Sequence, residues 1–294
     1  MYLGDCLMKS SIFSLLRLAS NIFLISLFVF ITVSGTIIWT FIIILSILIP
    51  AGSIRIKVKK QCISFFNIWS FLNSLLIRLN TRVIISGDYH SLTKQNHYIL
   101  ISNHQAFTDI LVNCCLQPGI SLFTYVMKKS LLWQYPVMSW YCYYYGFPFL
   151  DRKDRQKDIQ TLKKSYGKLK SLGNSLVIYP EGTRFSQQKK QQSESPNKNL
   201  LKPKIGGLAT SLRALQDYLD GLVNVTIVYS GKGPSLLSLL SGKISKVNIH
   251  VELIELDDSF FGDYSTPQFK KDFTEKINTL WHQKDDLIEQ LKKQ

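Results

Sequence analysis

Residues 18–54 form an uncharged, apolar run, which strongly limits what the N-terminal part of the chain can fold into. As an α-helix the run would extend about 55 Å at 1.5 Å per residue, whereas the hydrocarbon core of a bilayer is about 30 Å thick. It is therefore too long for one upright membrane span and short for two complete spans. Ser34 and Gly35, near the middle of the run, predict a turn there.

Basic residues flank the apolar run on both sides: Lys9, Arg17, Arg55, Lys57, Lys59 and Lys60. Flanks of this kind favour the cytoplasmic side of a membrane. We therefore expect residues 1–60 to be a membrane anchor, either a helical hairpin with both ends in the cytosol or a single tilted span. Both alternatives put the chain from residue 55 onward on the cytoplasmic side. A cleaved signal peptide is disfavoured, because its apolar region is usually only about 7–15 residues long.

The rest of the chain alternates short apolar runs with helical patterns. Strands are predicted at residues 83–85, 98–101, 122–126, 175–179, 223–229 and 247–253, and helices at 63–79, 109–116, 155–172, 208–219 and 270–293. This alternation predicts an α/β fold, with one mixed-sheet domain over residues 61–294 that ends in a helical tail. The aromatic stretch 131–149 is either core or a membrane-interface belt, and the polar stretch 186–199 is predicted to be a solvated loop.

The formal net charge of +15 and a pI near 9.5 indicate an anionic partner. Nucleic acid and an anionic membrane are the two candidates, and the high apolar content with 12% aromatic residues favours the membrane. The sequence shows neither a glycine-rich RNA motif nor a metal-finger spacing, so we expect no nucleic-acid partner and no metal. The cysteines contain no Cys-x-x-Cys pair, which predicts reduced thiols facing the cytosol: Cys6, Cys62, Cys114, Cys115 and Cys142.

A histidine and an aspartate follow the second predicted strand. His104 comes just after the apolar run 98–101, and Asp109 lies a few residues further on. A carboxylate can hold one imidazole nitrogen and fix the tautomer, so that the other nitrogen is free to accept a proton. The pair predicts a general base with its orienting acid, and a purely structural histidine is the alternative that these two residues leave open.

Two further segments accompany this pair in a fixed order along the chain. The three motifs are Asn103, His104 and Asp109; then Gly146, Phe149, Leu150, Asp151 and Arg152; then the unbroken Pro-Glu-Gly-Thr-Arg run at residues 180–184. In this order they resemble the glycerolipid acyltransferase family, specifically the 1-acylglycerol-3-phosphate acyltransferases, over roughly residues 60–255. A fourth family motif usually contains a proline, which the stretch 222–229 lacks. The finer pattern at residues 200–204 and 224–226 resembles the YihG-type bacterial inner-membrane branch.

The resemblance implies a membrane-bound acyltransferase of phospholipid biosynthesis at the bacterial inner membrane, with its catalytic domain on the cytoplasmic side. The implied reaction moves a fatty acyl group from acyl-CoA or acyl-acyl carrier protein to the free sn-2 hydroxyl of lysophosphatidic acid, giving phosphatidic acid. It implies no metal or redox cofactor. Because the fourth-motif proline is missing, reacylation of another lysophospholipid such as lysophosphatidylglycerol stays open. A non-catalytic membrane lipid-binding protein is the alternative outside enzymes.

The resemblance also assigns roles to the motif residues. His104 is the expected base, oriented by Asp109, and it acts directly on the substrate hydroxyl because the chain has no Gly-x-Ser-x-Gly elbow. The expected substrate-binding residues are Lys128, Arg152, Glu181, Gly182, Thr183 and Arg184. Among them, Arg184 is the predicted phosphate clamp, Thr183 a hydroxyl donor and Gly182 a point of close backbone approach. Glu181 is expected to organise Arg184 or the acceptor, and Lys128 to face the acceptor phosphate. Arg152 is either a second anion contact or a salt-bridge partner of Asp151 or Asp154.

Overall fold

The structure is a computed structural model that describes residues 2–49, 52–134, 136–231 and 233–294. Helices α1 to α10 cover Tyr2–Leu48, Ser53–Asn80, Thr108–Asn113, Leu131–Gln134, Pro136–Tyr144, Arg155–Leu172, Gln187–Gln192, Ile205–Leu215, Leu236–Leu240 and Pro267–Lys293. Strands β1 to β8 cover Arg82–Gly87, Tyr98–Ser102, Phe123–Tyr125, Met127–Lys128, Phe149–Leu150, Ser175–Ile178, Gly221–Tyr229 and Lys246–Ile254.

Six of these strands form one sheet in the order β1-β8-β7-β2-β6-β3. The β7–β8 pair is antiparallel and the other pairs in this sheet are parallel, so the predicted mixed α/β domain is confirmed. The short strands β4 and β5 pair in parallel as a separate ladder. Strands β2 and β7 are buried along their whole length, which explains why they read as continuous apolar runs in the sequence.

Helices cover both faces of the sheet. Because successive side chains of a strand point to opposite faces, Leu100 packs into one apolar cluster while Ile99 and Ile101 pack into another. The first cluster contains residues of α2, α3 and α5, and the second contains residues of α6, α8 and α10. The domain is therefore a three-layer sandwich with the sheet in the middle.

The carboxyl ends of β2, β6 and β7 meet at one edge of the sheet, because β2 is parallel to both neighbours. Asn103, directly after β2, connects strands β2 and β7 at this edge through its side chain. Its side-chain amide donates to the Ile227 carbonyl and accepts from the Ile227 amide, both at 2.8 Å. The loop that carries His104 is thereby tied to β7.

The N-terminal segment is a hairpin of two long helices, but its reversal lies elsewhere than predicted. Helix α1 runs unbroken through Ser34 and Gly35, so the predicted turn at these residues is wrong. The Ser34 hydroxyl donates to the Phe30 carbonyl at 2.6 Å, and a Cβ at Gly35 would lie 3.4 Å from the Trp69 ring. The serine is thus satisfied inside the helix, and a side chain at Gly35 would meet Trp69 of α2 at ordinary contact distance.

The two helices run antiparallel, with the reversal between Leu48 and the start of α2. Trp39 of α1 contacts Trp69 of α2 with ring centroids 5.8 Å apart, and Asn80 donates to Asn21 at 3.3 Å. Helix α2 runs without a break across residues 60 and 61, where the sequence had suggested the division between the membrane anchor and the α/β domain. Within the described residues, Leu18–Leu48 is a helical segment long and apolar enough to cross a membrane by length and composition.

The aromatic stretch 131–149 is divided between core and surface. Tyr141 and Tyr145 are buried, which confirms the core alternative for part of the stretch, whereas Trp133, Trp140 and Tyr143 are exposed. The membrane-interface belt stays a prediction for these exposed side chains. The polar stretch 186–199, predicted to be a loop, contains helix α7, capped by the Ser186 hydroxyl.

Free thiols occur at Cys114, Cys115 and Cys142, all buried. The side chains of Cys6 and Cys62, and of the six basic residues that flank the apolar run, lie outside the described part of the structure.

Candidate active site

His104 and Asp109, predicted to act together, are in contact at the carboxyl edge of the sheet. His104 Nδ1 lies 2.7 Å from Asp109 Oδ2, and the Asp109 side chain is fully buried in the first turn of α3. The same Oδ2 accepts from the backbone amides of Gln105 at 2.7 Å and Ala106 at 3.0 Å. Oδ1 accepts from the Tyr229 hydroxyl at 2.7 Å. Each of these neighbours donates to Asp109, whose carboxylate acts as the acceptor.

This arrangement fixes the histidine tautomer. An ionised carboxylate only accepts hydrogen bonds, so Nδ1 of His104 carries the proton and Nε2 has a free lone pair. The ring stacks on Tyr179 with centroids 4.1 Å apart, and 18% of the side chain is exposed. Burial, together with the nearby Asp109, raises the pKa of Tyr179 well above its usual range, so this neighbour stays neutral. His104 is thus a partly accessible base held in one orientation.

Glu181 holds the backbone of His104 in place through a hydrogen bond. Its Oε1 accepts from the His104 amide at 2.8 Å, and its Oε2 accepts from the Leu201 amide at 2.9 Å. The residue is only 1% exposed. The sequence had suggested that Glu181 contacts Arg184 or the acceptor. In the structure its carboxylate instead binds the backbone of the loop that carries His104. Its burial leaves it no open surface toward a substrate.

A buried lysine of the C-terminal helix α10 lies near Glu181. Lys284 Nζ donates to the carbonyls of Ile101 at 3.2 Å and Val225 at 2.7 Å, and so bridges the neighbouring strands β2 and β7. Burial raises the pKa of Glu181 to about 7, although the amides of Leu201 and His104 and the charge of Lys284 act against the rise. Burial lowers the pKa of Lys284 to about 7, opposed by the negative charges of Glu181 and Glu252.

The turn after β6 carries the third motif. Gly182 has a φ of +68°, in the left-handed region that favours glycine, and a Cβ there would lie 3.2 Å from the Lys204 side chain. The Gly182 carbonyl accepts a hydrogen bond from Arg152 Nη1. Arg152 therefore reaches the third motif, while Asp154, one of its predicted partners, instead caps α6 and lies 3.3 Å from Lys157.

The next two residues of the turn face solvent. The Thr183 hydroxyl accepts from Lys189 Nζ at 2.8 Å, and the same ammonium donates to the Arg184 carbonyl at 3.0 Å. The Arg184 side chain is exposed and pairs with no carboxylate in the described part of the chain. The amide of Phe185 donates to the His104 carbonyl at 2.7 Å, which fixes Arg184 beside the histidine loop.

Lys128, another predicted phosphate contact, is exposed at the end of β4. It lies opposite Leu150 of β5 in the register of the small ladder. This ladder brings Lys128 beside the second motif, whose Arg152 in turn contacts the third motif. Its contact with a phosphate stays a prediction.

Three contributors to the site were missed in the sequence: Tyr229, Lys189 and Lys284. Tyr229 ends the apolar run 222–229, at the sheet edge where site residues collect, and this position was a usable signal. Burial and the nearby Asp109 raise the pKa of Tyr229 well above its usual range, so it remains a hydrogen-bond donor to Asp109. Lys189 and Lys284 lie in a polar stretch and in the helical tail, where a lysine carries no local signal.

The matched motifs and the fold define a known class of protein. The acyltransferase family model matches residues 83–230, half of the chain, and the chain belongs to this family. The crystal structure of the 1-acyl-sn-glycerophosphate (LPA) acyltransferase PlsC from Thermotoga maritima has the same fold. It superposes with a TM-score of 0.52 at 20% identity, over 95% of this chain and 98% of that one.

Curated relatives carry acyltransferase names. The "Probable 1-acyl-sn-glycerol-3-phosphate acyltransferase 5" of Arabidopsis thaliana is 28% identical over 79% of this chain and 64% of its own length. The "2-acyl-1-lysophosphatidylinositol acyltransferase" of Saccharomyces cerevisiae is 28% identical over 66% of this chain and 61% of its own length. This chain thus spans about 60% of the length of these two relatives.

Proposed function

We propose that the chain transfers a fatty acyl group from an acyl thioester to the free sn-2 hydroxyl of lysophosphatidic acid, giving phosphatidic acid. The observation that carries this proposal is the imidazole of His104, held at 2.7 Å by the buried carboxylate of Asp109. The names of the Arabidopsis relative and of the Thermotoga structure support the same acceptor. Acyl-CoA or acyl-acyl carrier protein is the proposed co-substrate, and no step of the reaction needs a metal or redox cofactor.

In the proposed mechanism His104 Nε2 takes the proton of the substrate hydroxyl as its oxygen attacks the thioester carbonyl. Asp109 stabilises the imidazolium that forms and keeps the ring in place. When the tetrahedral intermediate collapses, the carbon–sulfur bond breaks and the thiolate takes the proton back from His104. The new ester and the free thiol leave a neutral histidine for the next cycle.

The basic residues around the third motif are proposed to hold the acceptor phosphate. Arg184 offers a planar guanidinium to two phosphate oxygens, and it lies beside the loop of His104. Arg152 and Lys204 lie on the same turn at Gly182. This placement would put an acceptor hydroxyl near the base when the phosphate is bound.

One assay separates the proposed function from its two rivals. Purified protein is incubated with labelled acyl-CoA or acyl-acyl carrier protein and a panel of lysolipids, and the products are separated by headgroup. Labelled phosphatidic acid as the main product supports the proposal. A different main product, in line with the name of the yeast relative, would favour reacylation of another lysophospholipid. Lipid binding without any transfer would favour a non-catalytic lipid-binding protein.

Arg184→Ala should raise the KM for lysophosphatidic acid much more than the KM for the acyl donor. Losing a bidentate contact with a charged phosphate should cost about 1.5–3 kcal/mol. Steady-state kinetics with each substrate varied in turn would measure both constants. Arg213→Ala is the matched control. This exposed arginine of α8 pairs with Asp263 at the surface and takes no part in the proposed phosphate contact. An increase confined to the donor KM would show that Arg184 has another role.

The contacts of α1 with the rest of the chain limit the orientation that this helix can take in a membrane. Towards its N-terminal end, Leu24 forms an apolar cluster with Leu76 of α2 and Leu240 of α9. Towards its C-terminal end, Trp39 stacks on Tyr141 of α5 with centroids 4.7 Å apart, and the Ser46 hydroxyl bonds with that of Tyr144. Helices α5 and α9 belong to the same domain and therefore lie on one side of any membrane.

We propose that α1 lies along the membrane surface instead of crossing it upright. From Leu24 to Ser46 the helix advances about 33 Å, which exceeds the hydrocarbon core of about 30 Å. An upright α1 would place α9 and α5 on opposite sides of the bilayer. The exposed side of the helix is apolar and suits insertion into one leaflet: Ile22, Phe23, Phe30, Ile37, Phe41 and Ile44. The basic flanks of the apolar run support the further proposal that this surface is the cytoplasmic face of a bacterial inner membrane.

Membrane attachment of this kind predicts a specific labelling pattern. Cys6 and Cys62, on either side of the apolar run, should both resist a membrane-impermeant thiol reagent in intact cells and react after permeabilisation. The protein should stay with membranes at high salt, because apolar burial and not charge attraction holds it. Labelling of Cys6 in intact cells would show that α1 crosses the bilayer. Release by salt would contradict insertion into the leaflet.

A further inference from the structure

Four basic side chains converge on the turn formed by Gly182, Thr183 and Arg184. Arg152 donates to the Gly182 carbonyl, and the Lys204 ammonium would lie 3.4 Å from a Cβ at Gly182. Lys189 donates to the Thr183 hydroxyl and the Arg184 carbonyl, and Arg184 itself extends into solvent. We call these four residues the cation cluster: Arg152, Arg184, Lys189 and Lys204.

The cation cluster combines four positive side chains, and the carboxylate of Asp158 offsets only part of that charge. Asp158 accepts from the Arg152 amide at 2.8 Å, and its charge acts on Arg152. None of its members forms an ion pair within the described ranges of the chain. Within the third motif, the carboxylate of Glu181 points into the protein, where it is 1% exposed and binds two backbone amides. A surplus of positive charge concentrated on one turn favours a ligand that carries more than one negative charge.

Lys189 is the member that comes from outside the motifs. It lies in α7, in the polar stretch 186–199, and Ser186 at the start of that helix accepts from the Lys189 amide at 3.3 Å. The far end of the stretch is held by Asp285 of α10, which accepts from the amides of Lys198 at 2.7 Å and Asn199 at 2.8 Å. The stretch is thus anchored at a point from which Lys189 reaches back to the turn.

The hydrogen-bond capacity of the Lys189 ammonium exceeds its use in the protein. An ammonium has three N–H donors, and the Thr183 hydroxyl and the Arg184 carbonyl take two of them. The third remains for a ligand oxygen on the turn. Lys204 adds a second ammonium beside Gly182.

We propose that Lys189, assisted by Lys204, binds the phosphate oxygen that carries the second negative charge of a phosphomonoester headgroup. This contact would make the site select monoester over diester lysophospholipids. A phosphomonoester approaches a charge of −2 near neutral pH, since its second pKa is about 6. A phosphodiester such as that of lysophosphatidylglycerol keeps a single charge. Lys189 and Lys204 are then specificity-determining residues of the acceptor site, an inference that rests on the proposed function.

Lys189→Gln tests this inference, because glutamine keeps a hydrogen-bond donor for Thr183 and removes the charge. We expect kcat/KM for lysophosphatidic acid to fall about tenfold, the size of one charge-assisted hydrogen bond, and kcat/KM for lysophosphatidylglycerol to fall much less. Lys189→Arg should restore most of the selectivity. Lys190→Gln, the neighbouring residue with the same change of charge, is the matched control and should leave the ratio of the two values unchanged.

The pH dependence supplies a readout that a merely structural role would not move. The wild-type ratio of kcat/KM for monoester over diester should rise as the pH passes through about 6, where the second phosphate charge appears. A pH effect on the transfer step itself, which both substrates share, cancels in this ratio. Lys189→Gln should flatten the rise. Equal losses for both lipids with an unchanged pH profile would overturn the inference and assign Lys189 to holding the turn.

Binding measurements separate this inference from the proposed function. The affinity of the detergent-solubilised full chain for lysophosphatidic acid and for lysophosphatidylglycerol can be measured without an acyl donor. Tighter binding of the monoester that depends on Lys189, without any acyl transfer, would uphold the inference and reject the proposed function. Acyl transfer with no Lys189-dependent preference would do the reverse. Absence of both would reject both.

Discussion

His104→Ala should lower acyl transfer by about 10²–10⁴-fold while the protein stays folded and membrane-bound. The imidazole is the base that the geometry presents at the sheet edge, with Nδ1 held by Asp109 and Nε2 free. Its loss leaves the hydroxyl of the acceptor without a group to take its proton. Single-turnover measurement with a labelled acyl thioester would separate this chemical defect from any change in substrate binding.

His282→Ala is the matched control for this experiment. His282 is an exposed histidine of α10, outside the constellation at the sheet edge, so its replacement should leave turnover close to the wild-type value. Asp109→Ala should resemble His104→Ala, because the ring then loses its orienting carboxylate. Near-normal transfer by His104→Ala would refute the proposed mechanism, whichever lysolipid is the acceptor.

The histidine–aspartate pair could be predicted because it lies within one strand–loop–helix unit. With Asp109 in the first turn of α3, the short separation from His104 largely determines that the two side chains meet. The role of Glu181 could not be predicted in the same way, since it bonds to the His104 amide across 77 residues of sequence. Its place in a substrate-binding motif suggested a surface role, and only the three-dimensional packing shows that it is buried.

The fold was predictable where apolar runs marked strands, and less so where helices pack closely. Strands β2, β6, β7 and β8 coincide closely with apolar runs, because both faces of the sheet are covered. At Gly35 the sequence suggested a turn, since glycine next to serine usually interrupts a helix. The helix instead continues through Gly35 and packs there on Trp69, a partner on another helix that no local pattern identifies.

Lys284→Met should lower the free energy of unfolding at pH 9 by about 1–3 kcal/mol, the cost of leaving the buried carbonyls that Lys284 bonds without a donor. Lys284 is 1% exposed, and its ammonium donates to Ile101 and Val225. Methionine fills a similar volume but supplies neither the donors nor the charge that favours ionised Glu181. Denaturant unfolding of the detergent-solubilised chain at several pH values would measure the loss.

The sign of the pH dependence follows from the two shifted groups. Burial raises the pKa of Glu181 from 4.5 to about 7, so its contribution to stability is present at low pH and is lost as the pH rises to 7. Burial lowers the pKa of Lys284 from 10.5 to about 7. The unfolded chain therefore holds that proton more tightly between pH 7 and 10.5, and this group makes the wild type more stable as the pH rises through that range.

The Lys284→Met variant lacks the stability change that comes from the titration of Lys284. Without the charge of Lys284, the pKa of Glu181 also rises further. The stability deficit of Lys284→Met should thus be small at pH 5 and grow as the pH rises above 7. Lys293→Met, an exposed change on the same helix, is the control and should show no such trend. A deficit that stays constant from pH 5 to pH 9 would mean that packing alone accounts for the loss, and that the Lys284 charge does not act on Glu181.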